Sequence, residues 1–353
     1  MVVFTGYKPS KEDPRDHVVD YKDVKGLNNG PFPPAFDIYK NPSQYASSLP
    51  YKPHIYDQGA VNSCACNAFA SAYACALQRQ GRGESFKPSR LFLYYLARLA
   101  HAKENERVVK EQGKSAWFAD MVANPPRDEM LEDGGSYTRD ILRAISALGS
   151  CAEADAVDNF LNTEWPYYKL ASEEEQATWP DEMKAWNAFS KYDKPEDEDD
   201  PDVSPNFPKG AIGSTAPNKT CFAAATRHHS LRYAHPAPVN DVRCWKSFLE
   251  AGYPLVIALD IYNTFDKQGD GNKNNDCLAP VPYKTRGDEF QYGHVVMVVG
   301  WNDDLHNGAF RVQNSWGLDW GDKGCFWMQY TWLESDSWGF QQDAWVLLDS
   351  EDT

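Results

Sequence analysis

Long apolar runs, metal-type cysteine patterns and internal repeats are all missing from this sequence of 353 residues. No stretch approaches the roughly 18 consecutive apolar residues of a membrane-spanning helix. The eight cysteines are too sparse for a disulfide scaffold, and Cys64 and Cys66 have no second pair at zinc-ligand spacing. No repeat is visible, which disfavours a solenoid or propeller. These absences leave an ordinary globular chain.

Basic residues are also few. Lysine and arginine number 35 against 51 aspartates and glutamates, a formal net charge of −16. This balance disfavours nucleic acid and anionic membrane surfaces as partners. Six acids fall in residues 196–202, which predicts a solvated loop. The first twenty residues lack the apolar segment of a secretory signal, which predicts a cytoplasmic location.

Hydrophobic periodicity predicts helices first and strands second. In the first predicted helix, over residues 64–80, Phe69, Tyr73 and Leu77 recur at intervals of four. Further helices are predicted after Pro88-Ser89, over 138–148 and after Asn240-Asp241. Short strands are predicted at 255–259, 295–299, 310–312, 325–330 and 344–348. This order predicts an α+β fold.

The rest of the chain shows weaker patterns. Residues 1–35 are polar and rich in turn formers, which predicts an N-terminal arm, ordered or loose, or a short pro-segment. We expect one domain over residues 36–350. Two segments, about 103–132 and 170–238, are predicted to be inserted surface loops with short helices at most.

Three residues far apart in the chain supply the parts of a cysteine nucleophile. Cys64 stands at a predicted helix start, where unpaired N–H groups stabilise a thiolate. His294 enters a buried strand, which would hold an imidazole base rigidly, and Asn314 lies beyond it. Taken alone, Cys64 would more often be an inert buried thiol, and His294 a satisfied core histidine. Among the eight histidines, His228 and His229 are the next candidates for the base, whereas Cys66 and Cys75 are expected to be structural.

Short motifs around these residues change that balance. Gln58-Gly59, Ser63-Cys64, Gly293-His294 and Asn314-Ser315-Trp316-Gly317 resemble the marks of the papain-like cysteine proteases. The resemblance implies a two-lobed α+β fold. A helical left lobe would carry Cys64, a strand-rich right lobe would carry His294 and Asn314, and the active-site cleft would run between them.

The resemblance also implies a role for each matching residue. Gln58 would form the oxyanion hole with the N–H of Cys64, and Asn314 would orient His294. Trp316 would cover that hydrogen bond on the substrate side. Gly134 and Gly135 would flank the substrate backbone.

This sequence departs from the family pattern next to the nucleophile. Asn62 and Ala65 replace the usual Gly and Trp. Val61 and Glu132 stand where the family has two half-cystines. Both halves are missing together, which indicates a branch that does not need this disulfide and favours an intracellular location. The nucleophile and the asparagine lie 250 residues apart, against about 150 in the family, and the two insertions account for the extra length.

The function implied by the resemblance is peptide-bond hydrolysis without a metal or cofactor. Cys64 would be acylated, His294 would protonate the leaving amine, and water would release the product. Peptides or proteins would be the substrates; pocket preference and oligomeric state cannot be read from the sequence. A non-catalytic peptide-binding module and a cysteine acyltransferase or deamidase remain alternatives. The intact Gln58, Cys64, His294 and Asn314 disfavour the first, and Asn314 in place of an acid disfavours the second.

The missing half-cystines generate a first prediction. The melting temperature and the rate of peptide hydrolysis should be unchanged in millimolar thiol reductant, which would also protect Cys64 from oxidation. Thermal melts and hydrolysis assays with and without reductant measure both quantities. A large fall in melting temperature on reduction would contradict the prediction. Detection of stoichiometric cystines by mass spectrometry would do the same.

Overall fold

The computed structural model divides the chain into two compact units. Unit 1 comprises residues 1–8, 58–66 and 87–229, and unit 2 comprises residues 9–57, 67–86 and 230–353. The structure describes residues 7–10, 13, 16–24, 26–40, 54–59, 61–81, 86–104, 107–126, 131, 133–154, 161–167, 216–228, 231–265, 287–334 and 340–348.

Seven α-helices are formed within the described residues. Their bounds are α1 Cys64–Arg79, α2 Arg90–Ala102, α3 Arg107–Gln112, α4 Lys114–Asp120, α5 Thr138–Ala147, α6 Lys219–Ala225 and α7 Val242–Glu250. Helices α2 to α6 belong to unit 1 and α7 to unit 2, whereas α1 begins in unit 1 and continues in unit 2.

Capping and burial explain the position of helix α2. The hydroxyl of Ser89 accepts the N–H of Phe92, which satisfies a donor at the start of the helix. The helix is then buried on every face, including the side chains of Arg90 and Arg98. A helix that is buried all round belongs to the core of its unit. It packs against α5, which carries the apolar face predicted from Ile141, Leu142 and Ile145.

Ten strands are formed within the described residues. They are β1 Tyr7–Lys8, β2 Val18–Asp20, β3 Ala35–Asp37, β4 Ser136–Tyr137, β5 Arg232–Ala237, β6 Leu255–Tyr262, β7 Phe290–Asn302, β8 Ala309–Gln313, β9 Cys325–Gln329 and β10 Phe340–Leu348. In unit 1, β1 and β4 form a parallel pair. In unit 2 the order is β2-β5-β10-β6-β7-β8-β9, with β3 paired to β7.

The pairing of β7 places His294 at a fixed point in this sheet. On one side, the antiparallel register with β6 sets His294 opposite Leu259. On the other side, β8 sets Gln313 opposite Met297, so the chain leaves the sheet at Asn314 close to His294. Helix α7 covers this region through Trp245, whose ring lies 4.9 Å from that of Phe310. The sheet and the helix together hold the end of β8.

The predicted α+β order is confirmed. The four predicted helices correspond to α1, α2, α5 and α7, and the five predicted strands correspond to β6 to β10. Strand β7 is longer than predicted. Its first residues are exposed and precede the apolar run Val295–Val299, so the apolar pattern did not include them. Structures are also formed within the first 37 residues, since β1, β2 and β3 all pair with later strands.

The second predicted insertion contains an element of the main sheet. Residues 170–215 of that segment, which include the acidic run, and residues 229–230 lie outside the described residues. Strand β5, however, lies between β2 and β10, so residues 232–237 are sheet rather than surface loop. The pattern failed there because His235 and Pro236 interrupt any apolar alternation. In the first insertion, α4 buries Phe118.

Candidate active site

The candidate nucleophile lies at the first residue of a sixteen-residue helix. Cys64 begins α1 and is fully buried. The chain enters the helix through a tight turn, in which Val61 N–H donates to Gln58 O at 3.4 Å and Ser63 N–H donates to Val61 O at 2.7 Å. No acidic side chain occupies the first helical turn. The partial positive charge of the helix start therefore acts on Cys64 without a competing carboxylate there.

Gln58 lies folded into this turn. Its side chain is fully buried, and Nε2 donates to Val61 O at 2.9 Å. A primary amide nitrogen carries two hydrogens, so this bond uses one of its two donors. Tyr167 holds the turn from outside: its hydroxyl donates to Gln58 O at 2.8 Å and shares a 2.8 Å hydrogen bond with Ser63 Oγ. One phenol thus connects both ends of the turn.

A buried ion pair fixes Tyr167. The guanidinium of Arg90 lies 3.4 Å from the centroid of the Tyr167 ring and donates to both carboxylate oxygens of Glu153, at 2.8 and 2.9 Å. The pKa of Glu153 is lowered, because the attraction of Arg90 and Lys87 outweighs the burial that raises it. Charge, stacking and hydrogen bonding therefore support the turn.

The two candidate substrate-binding glycines lie in the same unit. Gly134 and Gly135 follow Asp133, whose carboxylate accepts the N–H of Asn62. The N–H of Gly135 donates to the hydroxyl of Tyr94 at 3.1 Å. Unit 1 thus brings the glycine segment and the segment before Cys64 into direct contact.

In unit 2 a short hydrogen bond joins the other two members of the predicted triad. His294 Nε2 lies 2.7 Å from Asn314 Oδ1, and both residues are buried. Asn314 Oδ1 also accepts the N–H of Ser315 at 2.8 Å, so this atom is an acceptor. The proton must therefore be on Nε2 in the neutral ring, which leaves Nδ1 as the basic nitrogen. Nδ1 has no hydrogen-bond partner among the described residues.

Trp316 packs over His294. Its ring stacks on that of His294 with centroids 5.2 Å apart and meets Trp320 edge-on at 5.0 Å. Exclusion of water strengthens the hydrogen bond beneath it. Burial lowers the pKa of His294 to about 4, although the bond to Asn314 acts in the opposite direction. The ring is consequently neutral near pH 7 in this environment.

Gln313 anchors the end of β8 just before Asn314. Its Oε1 accepts the hydroxyl of Tyr39 at 2.5 Å, and its Nε2 donates to His54 O at 3.0 Å and Ser71 Oγ at 3.1 Å. Three parts of unit 2 therefore meet on one buried amide, which restricts the backbone that carries Asn314.

The competing cysteines and histidines have other surroundings. Cys66 is buried beside Ser136, 3.8 Å away, and burial raises its pKa. Burial also raises the pKa of Cys75 to about 12, so both agree with a structural role. His228 follows α6 in unit 1, and His229 lies outside the described residues. Of the positions expected for the family disulfide, Val61 is buried and Glu132 lies outside the described residues.

Comparison with known proteins agrees with this geometry. A family model described as papain family cysteine protease matches residues 181–344, a range that includes His294 and Asn314. An uncharacterised peptidase C1-like protein of Acanthamoeba polyphaga mimivirus is 25% identical over 98% of this chain and 87% of its own length. Xylellain, a cysteine protease from Xylella fastidiosa, is 25% identical, with a TM-score of 0.63 over 99% of this chain and 97% of its own. The chain is thus similar to papain-like cysteine proteases over nearly its whole length.

A more distant structure supports the fold alone. Procathepsin B from Trypanosoma congolense is 14% identical, with a TM-score of 0.51 over 99% of this chain and 87% of its own. The similarity to papain-like proteases supports a cysteine-type peptidase with an α+β fold, and it implies peptide or protein substrates. Within the described ranges, no group of three potential ligand side chains could hold a metal ion. In the same ranges, no helix is long and apolar enough to span a membrane.

Several supporting residues of this papain-like chain were not found from the sequence. Tyr167 is one of them, because a tyrosine that follows Trp165-Pro166 gives no sign in the sequence of the hydrogen bonds it forms. Asp133, Tyr94 and Gln313 gave no signal, because each contacts residues between 39 and 274 positions away. The hydroxyl of a buried tyrosine is not distinguishable from core packing in a single sequence.

The geometry of His294 generates a second prediction. At a pH where the His294 ring is uncharged, ¹⁵N NMR of labelled histidine should show the Nε2–H form of His294. Asn314→Ala should produce a mixture of tautomers and lower the pKa of His294 further, since the bond to Asn314 raises it. His235 is an internal control: its Nδ1 faces Ala344 O at 2.8 Å and should stay protonated in both proteins. An Nδ1–H form of His294 in the wild type would contradict the assignment.

Proposed function

We propose that the chain hydrolyses peptide bonds through an acyl-enzyme on Cys64, with His294 as general base and acid and Asn314 as the residue that orients it. The observation that carries this proposal is the 2.7 Å bond between His294 and Asn314, which directs the basic Nδ1 away from Asn314. A rigid, correctly protonated imidazole is what a thiol nucleophile needs.

The proposed reaction has two halves. Cys64 Sγ gives its proton to His294 Nδ1 and attacks the peptide carbonyl carbon. The C–N bond breaks, and the amine departs with the proton from Nδ1, leaving a thioester. His294 then takes a proton from water, whose oxygen attacks the thioester, and the proton returns to Sγ as the acid product leaves. Burial keeps His294 neutral, which is the form that accepts a proton.

Gln58 and the helix start would stabilise the oxyanion. The N–H of Cys64 lies in the first turn of α1, where the helix start carries a partial positive charge. The side-chain amide of Gln58 would supply the other donor. Such a donor contributes roughly 3 kcal/mol when it acts on the developing charge. The bond from Gln58 to Val61 and the support of Tyr167 favour this role, because they hold the amide in one orientation.

Substrates would bind in an extended form along Gly134 and Gly135. Glycine allows a peptide backbone to approach closely, and Gly135 has a φ of 76°, which favours glycine there. Trp316, half-buried over His294, would contact the substrate near the scissile bond. This arrangement recognises peptide backbone, which agrees with the substrates implied by the family.

The nucleophile assignment generates a third prediction. Cys64→Ala should abolish hydrolysis of a peptide library while the melting temperature stays within a few degrees, because alanine suits a helix start of this small-residue type. Cys66→Ser is the matched control, two residues away on the same helix, and should retain most activity. Reversed effects would assign the nucleophile to Cys66. Added amine acceptors test for acyl transfer: amide products in place of acids would make the enzyme a transferase.

The same variant tests the Cys64–His294 pair directly. A thiolate attracts a proton onto a neighbouring imidazole, so the pKa of His294 should be higher in the wild type than in Cys64→Ala, where burial alone should hold it near 4. NMR titration of His294 in both proteins measures the difference. Equal pKa values would show that the two groups do not interact, and would reject His294 as the base.

The oxyanion role of Gln58 generates a fourth prediction. Gln58→Ala should lower kcat about 100-fold with KM within about twofold, because the amide acts only on the developing charge. Gln58→Glu keeps the size of the side chain but removes the N–H donors, and should be at least as slow. A rise in KM with unchanged kcat in both variants would instead assign Gln58 to substrate binding.

A further inference from the structure

A single buried carboxylate receives hydrogen bonds from two segments of unit 1. Asp133 is fully buried. Its carboxylate accepts the backbone N–H of Asn62 at 3.1 and 3.2 Å and the hydroxyl of Tyr94 at 2.5 Å. The side chain of Asn62 also donates to the backbone oxygen of Asp133 at 2.8 Å. A buried charge is stable only when it is well partnered, so these bonds fix all three residues.

Tyr94 extends the connection to the glycine segment. Because its proton points to Asp133, the lone pairs of its oxygen accept the N–H of Gly135 at 3.1 Å. The pKa of Tyr94 is raised, mainly by burial and then by the charge of Asp133, so the group stays a phenol that can donate. The direction of each hydrogen bond in the chain from Gly135 to Asp133 is therefore fixed.

Arg98 holds this tyrosine and the charge opposite it. Its guanidinium lies 4.0 Å from the centroid of the Tyr94 ring. It donates to Tyr94 O and to Leu131 O, both at 3.1 Å, and Leu131 is two residues before Asp133. Its positive charge offsets the carboxylate in a region closed to water. The cluster thus joins Arg98, Tyr94 and the Asp133 segment through hydrogen bonds and opposite charges.

The two ends of the cluster reach different parts of the proposed chemistry. Asn62 lies two residues before Cys64, whereas Gly135 belongs to the segment proposed to hold the substrate backbone. We propose that Asp133 and Tyr94 are positioning residues that couple these parts: the Asp133–Asn62 bonds set the nucleophile, and the Tyr94–Gly135 bond sets the substrate backbone. This inference rests on the proposed function, and it assigns an extended peptide backbone as the ligand aligned by Tyr94.

Two variants separate the two ends. Tyr94→Phe removes the acceptor for Gly135 but leaves the Asn62 bonds, so KM should rise about tenfold with kcat within about twofold. Asn62→Ala removes one bond on the nucleophile side, so kcat should fall about tenfold with KM within about twofold. Asp133→Asn should change both. Tyr330→Phe is the matched control, because it removes a part-buried hydroxyl that bonds to Asp303 at 2.6 Å in unit 2, and it should leave kcat and KM unchanged.

Binding without turnover keeps this test separate from the test of the proposed function. In a Cys64→Ala background, calorimetry with an uncleaved library-derived peptide should show about tenfold weaker binding after Tyr94→Phe and unchanged binding after Asn62→Ala. This pattern would support the coupling even if the wild type failed to hydrolyse peptides, a failure that would count against the proposed function alone. Equal effects of both variants on binding would overturn the coupling. Changes in kcat and KM that simply parallel the fall in melting temperature across the variants would also overturn it.

Discussion

The hydrogen bond between His294 and Asn314 is the interaction on which the proposed chemistry of this protein depends. At 2.7 Å, within a region closed to water, it decides which nitrogen of the ring carries the proton and which remains basic. The bond requires β7 and β8 to pair in a single register, because the side chains on a strand alternate between its two faces. Much of unit 2 serves that register: the long β6–β7 and β7–β8 pairings, the cover of α7, and the Gln313 amide that ends β8.

Burial at this site has two opposite effects. It lowers the pKa of His294 to about 4, since an imidazolium loses its hydration there. It also strengthens the Asn314 bond and prevents water from competing for Nε2. A histidine in this setting is a poor cation but a well-oriented neutral acceptor. His294 is therefore protonated more readily when a negative charge, such as a thiolate, lies beside it than when it takes a proton from bulk water alone.

Local signals in the sequence pointed to the candidate site but not to the residues that support it. Periodicity predicted α1 and β7, and the family motifs made Gln58, Cys64, His294 and Asn314 the candidates. The polar contacts of unit 1 join residues far apart: Asn62 and Asp133 are 71 positions apart, and Ser63 and Tyr167 are 104 apart. Such pairs have no periodicity, and each member alone resembles an ordinary loop or core residue. Strand β5 was missed for a related reason, since the neighbours β2 and β10 stabilise a segment whose own pattern is poor.

The contacts of Asp133 show how a chain can hold a nucleophile without a covalent bond beside it. Where the resembling family has a disulfide at the positions of Val61 and Glu132, the next residue of each segment here forms the hydrogen-bonded pair of Asn62 and Asp133. A hydrogen bond to a charged group contributes about 1.5–3 kcal/mol, so the bond from the Asn62 N–H to the Asp133 carboxylate is comparable with the roughly 2–4 kcal/mol typical of a disulfide. The two interactions need different conditions. A disulfide survives only in an oxidising environment, whereas a buried carboxylate is stabilising only while its hydrogen-bond partners are in place. The turn before Cys64 therefore depends on the hydrogen bonds of one polar cluster and not on an oxidising environment. That cluster includes Tyr94, Arg98 and the segment of Gly135.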